Sequence, residues 1–407
     1  MKRILTTAGL VALGAACVHA ESTPGTLPTD KPWSVSATLR GFYDDNTTLA
    51  SRAAARRSSF GFEVNPTFTV GHSTDQTTLG ARYSYSFRDY LNRPGSTDYD
   101  QTHEFNAWLM HAFSQRFSVD AVDTFTISRE PTVQDPSLGV ARSNGDSVRN
   151  QAEVSLHTQA TRLLEVVLGY RNTYVDYRDP GYSVLLDRVE HNINLELKWQ
   201  AMPETYALFG YEYGMVNFLN SVGKARDSHT HRVYAGVEHK FVSNLTGSVK
   251  AGADFFALDN AARYSSFSGS TNVTSSTVSP FIEASMRYVY LAGSFVEVGF
   301  KHERNQTDVN AVDEESSSVY STISHRITPK LTGTLTGRYN HGEFFTGSSS
   351  STTKNNEDTV LLGIDFKYQF TRNFSSQVGY NYDGICSDID GRGYDRNRIF
   401  WGVTVSY

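Results

Sequence analysis

The side chains of this 407-residue sequence that could do chemistry are scattered rather than gathered. A serine hydrolase would carry a nucleophile elbow, a zinc protease a His-Glu-x-x-His pair, and a nucleotide enzyme a glycine-rich phosphate loop; none of these is present. His229 and His231 stand one residue apart and share a face of a strand start. Two imidazoles without a third ligand make a poor metal site, and a place at a strand rim suits them better. Ser387-Asp388-Ile389-Asp390-Gly391 has the acidic look of a calcium loop but lacks its bidentate glutamate, and reads as an acidic surface loop. Asp44-Asp45-Asn46 offers side-chain oxygens suited to a turn cap or to a divalent-ion contact. Arg52, Arg56 and Arg57 form a basic cluster that either stays solvated or pairs with lipopolysaccharide phosphates or an anionic glycan. No catalytic residues, metal or cofactor are expected.

The more informative charges are those that share a face with one another. Along most of the chain the hydropathic period is two, the period of a β-strand. In the run Val360 to Phe370, Val360, Leu362, Ile364, Phe366, Tyr368 and Phe370 fall on one face, and Gly363, Asp365, Lys367 and Gln369 on the other. Leu331–Tyr339 and Val189–Trp199 repeat the pattern. By the same parity, Arg40, Arg82, Arg171, Arg232, Glu283, Arg287, Arg338, Asp365, Lys367 and Arg398 lie opposite the apolar set. Charges of both signs on one face cannot point at lipid, where an arginine at the bilayer midplane costs about 2–4 kcal/mol. They are expected to line water or to pair with one another across strands, the inner wall of a pore.

The elements that would hold them follow. The alternating runs span 33–43, 58–70, 76–90, 101–113, 117–129, 147–158, 163–177, 184–200, 204–216, 229–241, 245–257, 277–290, 293–304, 315–327, 331–342, 357–370, 374–383 and 394–407. Many exceed ordinary soluble strands and match the roughly 9–11 residues that a tilted strand needs to cross a bilayer. Phe113/Phe117, Phe241/Leu245, Ile327/Leu331 and Phe370/Phe374 each bracket three polar or turn-forming residues, a repeated tight hairpin. Longer polar connections, such as 44–57, 130–146, 178–183 and 258–276, alternate with these turns. Short turns at one end and long loops at the other are the organisation of outer-membrane barrels. The sequence therefore predicts an all-β fold, a single closed antiparallel transmembrane barrel of about 18 strands over residues 33–407.

Lys2 and Arg3 followed by an apolar stretch, with Val18-His19-Ala20 as a cleavage site, read as a secretory signal peptide over 1–20. Residues 21–32, with Pro24, Pro28 and Pro32, read as a short periplasmic lead. Losing residues 1–20 moves the net charge from −6 to −8 and leaves Cys386 as the one cysteine. That balance excludes a basic nucleic-acid-binding footprint. The final strand alternates Trp401, Val403, Val405 and Tyr407 with Gly402, Thr404 and Ser406. A terminal aromatic of this kind resembles the signal read by the barrel-assembly machinery, so that machinery, outer-membrane lipid and lipopolysaccharide are the expected partners.

Two ends of the chain carry a family resemblance. Tyr43-Asp44-Asp45-Asn46, Arg57-Ser58-Ser59-Phe60 and Asn65-Pro66 near the start, and Tyr380-Asn381-Tyr382 and Tyr394-Asp395-Arg396-Asn397-Arg398 near the end, resemble the Putative beta-barrel porin 2 family. The resemblance implies an outer-membrane barrel and, more loosely, traffic of an exopolysaccharide, and it brings no catalytic residues with it. The function expected is a passive pore serving export of a secreted polysaccharide. A general or sugar-specific diffusion porin and a structural or adhesive barrel are the alternatives.

Overall fold

Strands that alternate polar and apolar side chains over a dozen residues can bury neither face alone, and their edges must also be paired. The computed structural model of the protein describes residues 31–51, 55–93, 98–128, 146–220, 222–268, 275–305, 313–345, 355–389 and 392–407. The proposed signal peptide, most of the proposed lead, Arg52, and the end of the 387–391 loop lie outside the described residues.

Eighteen strands form: β1 (Trp33–Asp44), β2 (Ser59–Ser73), β3 (Thr77–Tyr90), β4 (Tyr99–Ser114), β5 (Phe117–Ser128), β6 (Ser147–Gln159), β7 (Leu164–Tyr177), β8 (Arg188–Met202), β9 (Thr205–Phe218), β10 (Ser228–Val242), β11 (Leu245–Leu258), β12 (Ser276–Leu291), β13 (Ser294–Asn305), β14 (Asp313–Arg326), β15 (Leu331–Phe345), β16 (Asn355–Thr371), β17 (Phe374–Ser387) and β18 (Tyr394–Ser406). Each pairs antiparallel with the next, and β18 pairs with β1 from Ser36↔Ser406 to Asp44↔Arg398, so the 18-stranded sheet closes on itself. Closure is the arrangement that satisfies every strand's backbone groups in lipid.

The predicted hairpins are present. Phe113 and Phe117 meet at 5.2 Å across one, and Phe370 and Phe374 at 5.2 Å across another. The β12–β13 turn passes through Gly293 at φ +79°, a backbone conformation that favours glycine. The outer face carries the large exposed apolar residues, among them Leu39, Phe68, Leu109, Ile193, Phe209, Val249, Leu335, Ile364 and Trp401. Two polar girdles bound this belt. His103 and His111 on β4 and His231 and His239 on β10 are each eight residues apart, about 20 Å along the barrel axis at ~3.3 Å per residue and a tilt of ~40°. Their imidazoles bond to neighbours on the same face: His103 to Tyr83 (2.9 Å), His111 to Thr77 (2.7 Å), His231 to Tyr211 (2.7 Å) and His239 to Thr205 (2.8 Å).

The strand expected at 184–200 begins instead at Arg188, because residues before it form a helix, α1 (Pro180–Leu186). Asp179 caps it by accepting from the Gly181 amide at 2.7 Å, and Pro180 occupies its first turn. The consecutive apolar residues Val184-Leu185-Leu186 do not alternate, and Leu186 is buried against Val175 and Tyr177. A 3-10 turn (Gly223–Arg226) and a second helix, α2 (Ala261–Ser268), occupy two other long connections.

Candidate functional site

The pairing register puts the predicted charged residues on the face opposite the apolar belt, and gives each a defined neighbourhood. Arg40 lies 3.6 Å from Glu63 and 4.5 Å from the Phe400 ring, and Glu63 also takes Arg88 at 3.2 Å. Arg82 donates to Glu104 at 2.9 Å. Arg232 donates to both oxygens of Asp254, at 2.6 and 3.0 Å, and lies 3.1 Å from Glu303. Glu283 stands between Lys250 on β11 and Lys301 on β13. Arg287 meets Glu297 at 2.8 Å. Asp365 accepts from Gln377 at 3.1 Å, and Lys367 stands opposite Thr332 and Gln377. Arg171 stands opposite Glu153 and Asn192, and Arg338 is buried opposite Tyr320 and Leu361.

Some links skip one strand or two. Lys198 on β8 reaches Glu238 on β10 at 2.9 Å, and Lys250 on β11 reaches Glu196 on β8 at 3.0 Å, where Tyr234 also donates at 2.7 Å. Such reach needs flat ground between the partners, and glycine supplies it. A Cβ on Gly210 would meet Tyr234 Cζ at 2.0 Å, so that ring lies over the bare backbone of the next strand. Phe42 over Gly61, Trp108 over Gly80, Tyr320 over Gly299 and Phe400 over Gly379 repeat the device. Opposite charges pinned side by side cancel each other's long-range field. No group of three or more metal-ligating side chains occurs among the described residues.

The two motif ends, far apart in sequence, meet at the closing seam. Asp44 is fully buried and accepts from Arg398 at 2.9 Å, with Arg396 at 3.8 Å. Asp45 accepts from the Asn397 amide and its Nδ2, both at 2.7 Å. Asn46 donates to the Asp395 carbonyl at 2.8 Å, and its amide donates to Asp44 at 2.9 Å. Arg56 forms a two-pronged pair with Asp395. Tyr43 packs on Phe60 at 4.9 Å, and Tyr394 is buried on β18 opposite Ile385. The expected turn cap at Asp44 is present. The carboxylates of Asp44 and Asp45 meet guanidinium and amide partners, and Arg56 meets a carboxylate of the chain itself. His229 pairs with Asp259 at 2.7 Å on the outer face, a rim position.

At the long-loop end the inward face carries apolar patches, and the loops turn in to cover them. Leu186 of α1 packs on Val175 and Tyr177; Tyr264 of α2 joins Ala225, Phe256 and Leu258; Ile389 rests on Phe344. Arg226 is fully buried over the Phe218 ring at 4.3 Å; burial and the nearby Arg188 lower its pKa to about 10. Asp187 and Asp227 each hold the end of the preceding strand, accepting from the amides of Tyr177 and Phe218 at 2.8 Å. Burial raises the Asp227 carboxyl above its ordinary range.

A family model described as Putative beta-barrel porin 2 matches residues 34–407, nearly the whole barrel. The chain belongs to that family. This porin is therefore an outer-membrane barrel channel, as the resemblance at its two ends implies. Its fold is similar to solved porins of Gram-negative bacteria. OccAB4 of Acinetobacter baumannii is 12% identical at a TM-score of 0.45, over 93% of this chain and 99% of that one. OccK1 (OpdK) of Pseudomonas aeruginosa is 14% identical at 0.49, over 92% and 99%. A BenF-like porin from Pseudomonas fluorescens is 14% identical at 0.47, over 92% and 99%. No curated protein matches the chain.

The structure also brings forward residues that parity arguments pass over. Phe42, Phe400, Tyr234 and Trp108 are aromatic residues on the inward face, where charged residues alone are sought. Their sequence signal is a break in alternation, as in Ala107-Trp108-Leu109-Met110.

Proposed function

We propose that this porin passes a secreted polysaccharide across the outer membrane, the wall serving as a series of weak sugar contacts. The observation that carries the reading is the pairing of the charges. With Arg232, Lys250, Lys198 and Arg287 held by carboxylates of the wall, the groups left to a passing chain are dispersed hydroxyls and amides such as Thr336 and Asn381. Each sugar hydrogen bond is worth about 0.5–1.5 kcal/mol net. Many weak contacts hold a polymer in the path without stalling it, as conduction requires.

The inward-packed loops favour a second reading. A mouth narrowed by α1, α2 and the 3-10 turn suits small solutes, and a general or sugar-specific diffusion porin fits that feature. Gene deletion with electrical recording separates the two. Export predicts polysaccharide trapped in the periplasm of the deletion strain, and a purified barrel whose conductance the polysaccharide blocks reversibly. Normal extracellular polysaccharide together with altered uptake of small sugars establishes the diffusion porin. Zero conductance of the purified barrel establishes a structural or adhesive role.

A further inference from the structure

Large apolar side chains that are exposed on the strands sit on the lipid face, or beside the periplasmic turns, with one exception among the described residues. Met110 on β4 and Val122 on β5 are 41% and 47% exposed, yet the register turns both toward the lumen. Val122 stands directly opposite Trp108, and Met110 opposite Asp120 on the same strand pair. Trp108 joins the two into one apolar step. Its ring is half-buried and lies over Gly80, where a Cβ would meet Cζ2 at 2.3 Å. Its Nε1 is shielded from solvent, so the surface that the indole presents is carbon.

Polar groups run along both sides of this step. Toward the outer mouth, Arg82 donates to Glu104 at 2.9 Å, Asn106 to Glu104 at 2.6 Å, and Thr124 to Asn106 at 3.0 Å. Toward the periplasm, His157 bridges Asp120 and Glu165, at 3.3 Å to each. An exposed apolar surface in a water-filled wall is costly, and wide porin walls are otherwise polar. An aromatic carbon face between two rows of donors and acceptors matches a pyranose ring, which has an apolar C–H face and hydroxyls around its edge.

We propose that Trp108, Met110 and Val122 form a stacking platform for an uncharged sugar ring inside the pore. Beside it Arg82 is held by Glu104 and His157 by Asp120 and Glu165, so these two cations are not offered to a uronate. The proposal deepens the reading of the lumen as a sugar path and rests on it.

The test uses the full barrel in liposomes of dibrominated lipid, which quenches the outward-facing Trp33, Trp199 and Trp401 and leaves Trp108 as the emitter. Maltohexaose is expected to shield that emission from acrylamide, and an oligogalacturonate hexamer to shield it at least about fivefold less well. Trp108→Ala should weaken block of the conductance by maltohexaose about tenfold, on the order of 1.4 kcal/mol for one aromatic contact. Val122→Asp, on the lumen face and so compatible with folding, should weaken block similarly. Equal acrylamide quenching with and without maltohexaose, or unchanged block in both variants, overturns the platform. Polysaccharide block of the unmodified channel would in that event leave the pore reading standing. Shielding by the uronate as strong as by maltohexaose overturns the assignment to an uncharged sugar. A barrel that does not conduct but is shielded by maltohexaose supports the platform and removes the pore reading instead.

Discussion

At the residue scale, stability around the seam is decided by burial more than by the number of ion pairs. Asp44 is fully buried between Arg398 and Arg396, whereas Asp395 and its partner Arg56 remain partly open to solvent. Removing one member of a buried network strands the other charges without solvent, at a cost of about 3–5 kcal/mol, while an exposed pair is worth ~0–1 kcal/mol. Asp44→Ala should therefore lower the temperature at which the folded gel band converts to the unfolded one, and Asp395→Ala should barely move it. Equal shifts would show that the buried clamp carries no special weight. Gly210 offers a second residue-scale test. A valine there collides with the Tyr234 ring, and overpacking of this kind costs about 1–3 kcal/mol. Gly210→Val should destabilise the barrel, but should add nothing in a Tyr234→Ala background, because the ring it strikes is gone. Thermal conversion of the four proteins on one gel checks this cycle.

At the element scale, a strand's register fixes which side chains meet lipid, since a slip of one residue exchanges the two faces. Leu335 stands opposite Ile323 and Ile364 on the outer wall, and Thr334 stands opposite Ser324 and Asp365 on the inner wall. Leu335→Arg should impair assembly by placing a guanidinium in the bilayer, at about 2–4 kcal/mol, while Thr334→Arg is tolerated next to Asp365. Comparable yields of heat-modifiable protein for the two variants would contradict the register. This level of structure is legible in the sequence because period two is a local property that each strand states for itself. What the sequence hides is whatever depends on a distant partner. Asp45 and Asn397 are 352 positions apart, so their clamp cannot be read from either motif alone, although both motifs stand out. Helix α1 was legible in principle, since Asp179-Pro180 is a helix start, but the apolar residues after it continue a strand-like run. Trp108 escapes for a different reason. In a barrel sequence a tryptophan reads as an interfacial girdle residue, and only the ladder against Gly80 and Val122 turns it inward.

At the scale of the whole molecule, one pairing differs in kind from the others. Consecutive strands are tied by a local connection, but β1 and β18 must find each other across the full length of the chain, and loop closure over that length is entropically expensive. The seam carries a fastening at each end. At the outer rim stands the clamp of Asp44, Asp45 and Arg398. At the periplasmic end, Val35 and Tyr407 exchange backbone hydrogen bonds at 3.0 and 2.8 Å, and Tyr407 lies 5.6 Å from Trp33 with Lys31 3.6 Å over its ring. The two fastenings should fail differently. Our proposal that the terminal aromatic is the contact for the assembly machinery makes Tyr407 necessary before the barrel exists, whereas the outer clamp acts once β18 has already met β1. Tyr407→Asp should therefore leave protein in the periplasm, with little heat-modifiable band in the outer membrane. Asp44→Ala should reach the outer membrane in near-normal amount and only melt earlier. Cell fractionation followed by unheated gel electrophoresis reads both outcomes together. Normal outer-membrane yield of Tyr407→Asp with a lowered conversion temperature would make the terminal aromatic a second structural fastening, and would remove it as an assembly signal.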